Sequence, residues 1–342
     1  MTPSDPMAAA QPVHAGSKTP RNLFAEQAAN RRTTWVLIGG FVLFLAFLGF
    51  GFDLFVFGYD AARTVRRGQT PIPVAALLAT AVGGVSAFFG YRFGDRAVLA
   101  SSQARPVRLD DPNARVLVNV VTEMAIASGL PMPKVYVLDE PDPNAFATGR
   151  DPEHASIAVT TGLLMAMNRD ELQGVIAHEM SHIRNYDIRT MTVVAALLGA
   201  VLLLSDWARN VRLRGRSDDD DRSPISGPVA VVVFVVWLLA IILAPIVGQL
   251  LATAVSRSRE YLADASGAEL TRNPIGLANA LRKLAAATAP TRRVARGSAH
   301  LCITDPLERA VNEREGAFAD LLATHPPIQE RIARLEAMAY QA

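Results

Sequence analysis

Between Trp35 and Phe57 the chain reads WVLIGGFVLFLAFLGFGFDLFVF, and so long an apolar stretch restricts what the chain can fold into. Its length suits a helix that crosses a bilayer, which takes about 20 apolar residues. Asp53 is its only charge and lies near the far end. The preceding tail is too long for a cleavable signal peptide and no small-residue cleavage site follows, so an uncleaved anchor is expected. A second run, Ile72 to Tyr91, carries small residues that suit packing against the first. A third, Met191 to Leu204, is short for a span unless its helix continues. The fourth, Pro228 to Leu251, is long enough, and Pro245 within it is a natural kink point.

Half of the 342 residues are hydrophobic, and the net charge is only +2, so no global field points to nucleic acid. A single cysteine, Cys302, excludes an intrachain disulfide. It lies in the apolar stretch Ala299 to Ile303 and reads as a packed residue rather than a nucleophile. Residues 1 to about 30 lack apolar periodicity and read as a disordered tail. Basic residues in the tail (Lys18, Arg21, Arg31, Arg32) and after the second run (Arg92, Arg96, Arg105, Arg108) outnumber those between the runs (Arg63, Arg66, Arg67). That balance favours a cytoplasmic tail and main domain. The polar segment from Arg209 to Arg222, with Asp218 to Asp221, reads as a solvated loop. If the third and fourth runs both cross, this arginine-rich loop lies on the opposite side, against the same tendency. Two full crossings are expected, with a shallow hairpin as the alternative.

The chemistry of the chain centres on His178-Glu179-Met180-Ser181-His182. Residues four apart share a helix face, so His178 and His182 can grip one ion, and two neutral imidazoles suit zinc. Glu179 can sit beside the metal without binding it and accept a proton from an activated water. Leu172, Val175, Ile176 and Ile183 recur at helical spacing, as a half-buried helix requires. A catalytic zinc wants a third protein ligand. Glu260 is the best candidate, and Asp264, one turn along, is placed to accept a hydrogen bond from a ligating histidine. His325, Glu171 and Asp187 compete for the third place. A metzincin would need glycine at 185 and histidine at 188, where this chain has Asn185 and Ile188. Upstream, Ala114 to Ser128 reads as an amphipathic helix with Val116, Val120, Val121 and Met124 on one side, ended by Gly129. Lys134 to Leu138 and Ser156 to Thr161 read as strands, with a loop at Asn144 to Gly149 between them. The second strand, if at a sheet edge, could pair with an extended peptide. Downstream, Asn273 to Ala287 reads as a helix with a packing stripe of Leu277, Leu281 and Leu284.

Several separated stretches together resemble the HtpX-like membrane zinc metalloproteases, relatives of the CAAX prenyl endopeptidases. They are Asn144 to Leu164, the motif His178 to His182, Ser256 to Asp264, and Thr324-His325-Pro326-Pro327-Ile328-Gln329-Glu330-Arg331-Ile332. With the four apolar runs they cover roughly residues 35 to 338 in the expected order. The resemblance implies that Glu260 is the third zinc ligand, that Asp264 stands behind the ligands, and that His325 serves substrate or transition state. It also implies substrate contacts at Asn144, Ala158, Val159 and Thr160, a role in membrane-protein quality control and stress response, and an active site facing the cytoplasm. The chain departs from the family in its long tail, the loop Arg209 to Arg222 and an insertion at residues 310–322.

The expected fold is mainly α with a small β-sheet (α+β), in an integral membrane protein bearing a zinc metalloprotease domain. A disordered tail (1–33) precedes a two-helix anchor (34–92) and the first part of the protease domain (93–190). A membrane or membrane-associated hairpin (191–255, polar loop 208–227) then leads to the second part (256–342). The expected function is zinc-dependent endoproteolysis in the inner (plasma) membrane, with one Zn2+ per chain, on unfolded or membrane-protein substrates. Glu179 and His325 are the catalytic candidates, and His178, His182 and Glu260 the ligands. An inactive scaffold is the alternative, though it would tolerate a missing ligand or base and none is missing. A transporter is a further one, though apart from Asp53 the first, second and fourth runs hold no charge. The oligomeric state stays open.

Overall fold

The computed structural model describes residues 23–55, 60–68, 70–108, 110, 112–197, 259–287, 294, 296–304 and 325–340. The first two apolar runs become long helices, α1 (Leu23–Phe55) and α3 (Val74–Ser101), joined through the short α2 (Ala61–Arg66). α1 and α3 run antiparallel. Trp35 stacks on Tyr91 at one end, Leu45 meets Gly83 midway, and Asp53 reaches Ala75 and Ala76 at the other. A Cβ on Gly49 would stand 2.5 Å from the carbonyl oxygen of Ala75, so glycine sets how closely the two backbones approach. The buried Asp53 accepts hydrogen bonds from the amides of Ala75 (2.9 Å) and Ala76 (2.8 Å). Amides of a first helical turn have no partner within the helix, so the carboxylate both satisfies them and meets the positive end of α3. The outer faces expose Leu43, Leu77, Leu78, Val82, Phe88 and Phe89. With apolar helices of 29 and 28 residues, that surface fits a membrane anchor.

The expected disorder up to residue 33 does not hold for residues 23–33, which are the start of α1. The reason is tertiary. Gln27, Asn30 and Thr34 hydrogen-bond to residues 184–190 of the metal-motif region, an attachment that local composition does not register. Residues 1–22, the loop 208–227 and the fourth run lie outside the described residues, as do the insertion 310–322 and Ser256 to Ser258.

After β1 (Arg105–Pro106), α4 (Pro112–Ser128) buries Leu117, Val120, Val121 and Met124. Val116, expected on that face, is exposed, and Leu117 takes its place. Gly129 ends the helix with φ 68, the left-handed conformation that glycine adopts at no steric cost. β2 (Lys134–Leu138), β3 (Ala145–Thr148) and β4 (Ser156–Thr160) complete a mixed sheet of order β1-β2-β4-β3. β4 pairs parallel with β2 and antiparallel with β3. It is therefore interior, and its Ala158, Val159 and Thr160 face strands on both sides. The expectation of an edge strand there is corrected. The edge beside it is β3, whose sequence Ala-Phe-Ala-Thr is short and lacks a polar–apolar alternation, and which becomes a strand by pairing and burial.

α5 (Thr161–Ala166) leads to α6 (Arg169–Arg184), which carries the metal motif, and a helix over residues 187–197, α7, follows. α7 opens the third apolar run and lies against the anchor: Gly90 and Gly94 of α3 face Ala196 and Thr192. The second half of the domain contributes a helix over 259–271, α8, then α9 (Pro274–Ala286) and α10 (Ile328–Ala339). Pro326 and Pro327 precede α10, with Pro327 at its N-cap. One core joins α4, the sheet, α6, α9 and α10 through Leu117, Ile157, Ile176, Leu277, Leu281 and Leu335. Gly174 is where α6 meets α9: a Cβ there would lie 2.7 Å from the Leu277 amide nitrogen and 2.8 Å from its Cα. Gly174→Ala is accordingly expected to destabilise by about 1–3 kcal/mol through overpacking, in spite of alanine's better helix propensity. A thermal unfolding midpoint in detergent measures it.

Candidate metal centre

α6 is fixed before any metal is considered. At its start the Asn168 side chain accepts from the Glu171 amide and the Glu171 carboxylate accepts from the Asn168 amide, a reciprocal capping box. Val175, Ile176, Met180 and Ile183 are fully buried and hold the helix in the core. His178 and His182 then fall on one face, both almost without exposure. α8 crosses that face closely, since a Cβ on Gly267 would lie 3.1 Å from the His178 amide nitrogen. The crossing brings Glu260 and Asp264 to the imidazoles.

The three ligand candidates converge. His178 Nε2 and His182 Nε2 are 3.2 Å apart, and Glu260 places Oε2 at 3.6 Å from the first and Oε1 at 3.5 Å from the second. Donor atoms bound to a tetrahedral zinc at roughly 2.0–2.2 Å stand about 3.4 Å from one another, so these separations fit one zinc-sized cation. Buried polar atoms support the fit: among the described residues Glu260 Oε2 and both ring nitrogens of His325 make no hydrogen bond, and Glu260 Oε2 has only longer ion-pair contacts to His178, His325 and Arg331, which leaves it free to take a ligand.

Each imidazole has a carboxylate behind it. Asp264 Oδ1 lies 3.0 Å from His178 Nδ1, and Asp187 Oδ2 lies 3.1 Å from His182 Nδ1. A carboxylate at Nδ1 fixes the tautomer that carries the Nε2 lone pair, which is the atom both rings turn toward Glu260. Arg331, fully buried on α10, binds Asp264 through two nitrogens at 2.8 Å, donates to the Ile303 carbonyl at 2.9 Å and stands 3.3 Å from Glu260 Oε2.

The electrostatics follow from burial and these partners. Burial opposes ionisation of Glu260, but His182, His325 and Arg331 outweigh it and hold the carboxyl well below the usual range. Asp264 is likewise lowered, against burial, by Arg331 and His178. Burial works against a charged His182, yet the carboxylates of Asp187 and Glu260 push its pKa up to about 10, whereas burial leaves that of His178 lowered. Glu179 is 1% exposed, and burial dominates there, raising it to about 7 in spite of His182 and the Ala147 backbone beside it. A carboxyl near neutrality suits proton transfer at physiological pH.

The remaining sequence candidates separate. His325, just before α10, places Nδ1 3.4 Å from Glu260 Oε2, at the rim of the cluster. Glu171 is engaged in the capping box and with Lys283 Nζ at 2.6 Å, and it is not a ligand candidate. Asp187 stands behind His182 rather than among the ligand atoms. Asn144 donates to the Thr304 carbonyl at 3.1 Å and holds residues 302–304 along β3, where the Ile303 amide donates to the Ala145 carbonyl. Cys302 is buried there, as a packed residue. Two residues had been given no role from the sequence. Arg331 had a readable signal, a charge on the apolar face set by Ile328, Ile332 and Leu335. Asn30 had none.

The chain matches peptidase family M48 over residues 112–339. It is 43% identical over 326 residues to a protease HtpX homologue of Caldanaerobacter subterraneus, covering 94% of this chain and 99% of that one. Against the protease HtpX homologue of Thermoanaerobacter pseudethanolicus it is 42% identical over 324 residues, covering 93% and 98%. The homologue of Limosilactobacillus reuteri is 42% identical over 317 residues, covering 92% and 100%. Among solved structures, S. mikatae Ste24p is similar with a TM-score of 0.44 and 21% identity, over 92% of this chain and 66% of the Ste24p chain. The family match runs from α4 to α10 and contains every residue of the cluster, so the chain belongs to peptidase family M48 and is a metalloprotease.

Proposed function

We propose that this metalloprotease is a membrane-anchored zinc endopeptidase whose ion is held by His178, His182 and Glu260. The observation that carries this reading is the convergence of their ligand atoms at 3.2–3.6 Å, each imidazole backed by a carboxylate. Zinc held there would polarise a peptide carbonyl and bring the pKa of a water to about 7. Glu179 accepts the proton of the attacking water and delivers it to the leaving amine. Asp264 and Asp187 keep the imidazoles in the ligating tautomer, and Arg331 keeps Glu260 and Asp264 ionised. His325, at the rim, meets the substrate or the developing oxyanion. An extended substrate pairs with β3 rather than β4: β3 ends the sheet, Ile303 already occupies Ala145, and Ala147 lies beside Glu179.

The membrane reading is a hairpin with both ends on the protease side. Supporting it, the first turns of α1 attach to the α6–α7 turn, and α3 leads directly into the sheet. The basic residues near those ends favour the cytoplasmic face of the plasma membrane. Substrates in this reading are loosely folded or membrane-embedded polypeptides, and the proposed role is quality control of membrane proteins.

Glu179→Gln is expected to retain one zinc per chain by metal analysis while cleavage of an unfolded protein falls by about 10²–10⁴-fold. Undiminished cleavage would sink the assignment. A zinc chelator should abolish wild-type cleavage in detergent, with recovery on adding zinc. Arg331→Leu leaves two buried carboxylates without their cation and should cost about 3–5 kcal/mol, read as a lowered unfolding midpoint.

A further inference from the structure

We infer that Asn30, on the membrane anchor, is a positioning residue for the metal ligand His182, acting through Asp187. The inference rests on the reading that His182 binds the metal.

Asn30 Nδ2 donates to Asp187 Oδ1 at 2.6 Å and to the Asn185 carbonyl at 2.9 Å, and the residue is buried. The other oxygen of the same carboxylate, Oδ2, lies 3.1 Å from His182 Nδ1. Asn30 therefore pins one oxygen of Asp187 while the imidazole uses the other, and the carboxylate plane is set from both sides. Asp187 is fully buried at the start of α7, and Arg259 Nη1 stands 3.7 Å from its Oδ1. Partners that orient a ligating histidine govern metal affinity nearly as much as the ligand does.

The attachment is specific in its spacing. Gln27, Asn30, Arg31 and Thr34 lie on one face of α1. Gln27 Nε2 donates to the Arg184 carbonyl at 2.8 Å, Arg31 lies over the Tyr186 ring at 5.0 Å, and Thr34 shares a 2.9 Å hydrogen bond with Thr190. Of these four, only Asn30 touches Asp187 in the described structure. Tyr186, between the two helices, adopts φ 60, a conformation costly for a bulky residue that the surrounding contacts must hold. The anchor thus attaches to the turn that carries the orienting carboxylate.

The test is zinc retention against a chelator, followed in detergent for the full chain. Asn30→Leu should lose zinc about tenfold faster than wild type, the lower end of the effect of removing a group that orients a ligand. Thr34→Val, at the same attachment but without contact to Asp187, should stay within about twofold. In an Asp187→Ala background, Asn30→Leu should add nothing further, because the two residues act as one unit. Should Asn30→Leu fail to fold, Asn30→Asp replaces it: two carboxylates would face each other and zinc should be lost faster, while adding Asp187→Asn restores a donor to the pair and should recover retention. Wild-type retention in both Asn30 variants, equal losses in Thr34→Val and Asn30→Leu, full additivity with Asp187→Ala, or no recovery in the exchanged pair would each overturn the inference. Failure of the underlying reading looks different: the wild type binds no zinc, or His182→Ala holds it as tightly as wild type.

Discussion

Among the described residues, the carboxylates of Glu179, Asp187, Glu260 and Asp264 are buried around the two imidazoles of α6, and the guanidinium groups of Arg259 and Arg331 are buried with them. Isolated charges cannot be held at such burial, so the fold around them is organised to pair them. α10 enters the domain with an arginine on its apolar face for this reason. α8 crosses α6 at a glycine for the same reason, because a side chain at Gly267 would push the carboxylates away. The capping box at Asn168 and the leucine stripe of α9 keep α6 from shifting under the electrostatic load.

Much of this was legible in the sequence because it depends on short-range spacing. A four-residue interval puts His178 and His182 on one face wherever the helix sits, and the same interval carries Glu260 and Asp264 together. The stripe Leu277, Leu281, Leu284 and the stop at Gly129 are local in the same sense. The two apolar helices were readable from length alone. What escaped reading depends on contacts between distant segments. β3 is a strand by virtue of β4, since Ala-Phe-Ala-Thr has no alternation to announce it. β4 looked like an edge because a sequence does not state strand order. Val116 and Leu117 are adjacent, and which of them turns inward follows from how α4 sits on α6. The tail boundary failed at residues 23–33 because their order comes from 155 to 157 positions downstream.

Those long-range contacts also change what the anchor is. A membrane segment attached only by a linker leaves the soluble domain to fold alone. Here α1 supplies hydrogen bonds to Arg184 at the end of α6, to Asn185 in the turn and to Asp187 at the start of α7, and α3 packs against α7 through Gly90 and Gly94. The two histidines of the metal motif and the apolar anchor helices are therefore parts of one packed unit. Asp53 at the far end belongs to the same economy of polar groups: a carboxylate placed where the amides of α3 need an acceptor costs far less than one facing lipid.

Arg331 has a consequence for the order in which the molecule can be made. The histidines are on α6 and Glu260 on α8, but the cation that balances Glu260 and Asp264 comes from α10, the last described helix. During synthesis the chain emerges from its N-terminal end, so the anchor and both histidines are complete long before that arginine exists. Without it, two acids in the centre lack their guanidinium partner, and a buried carboxylate without a partner is costly. Closure of the cluster around Glu260 and Asp264 therefore waits for α10, although α1, α3 and α6 precede it in the chain.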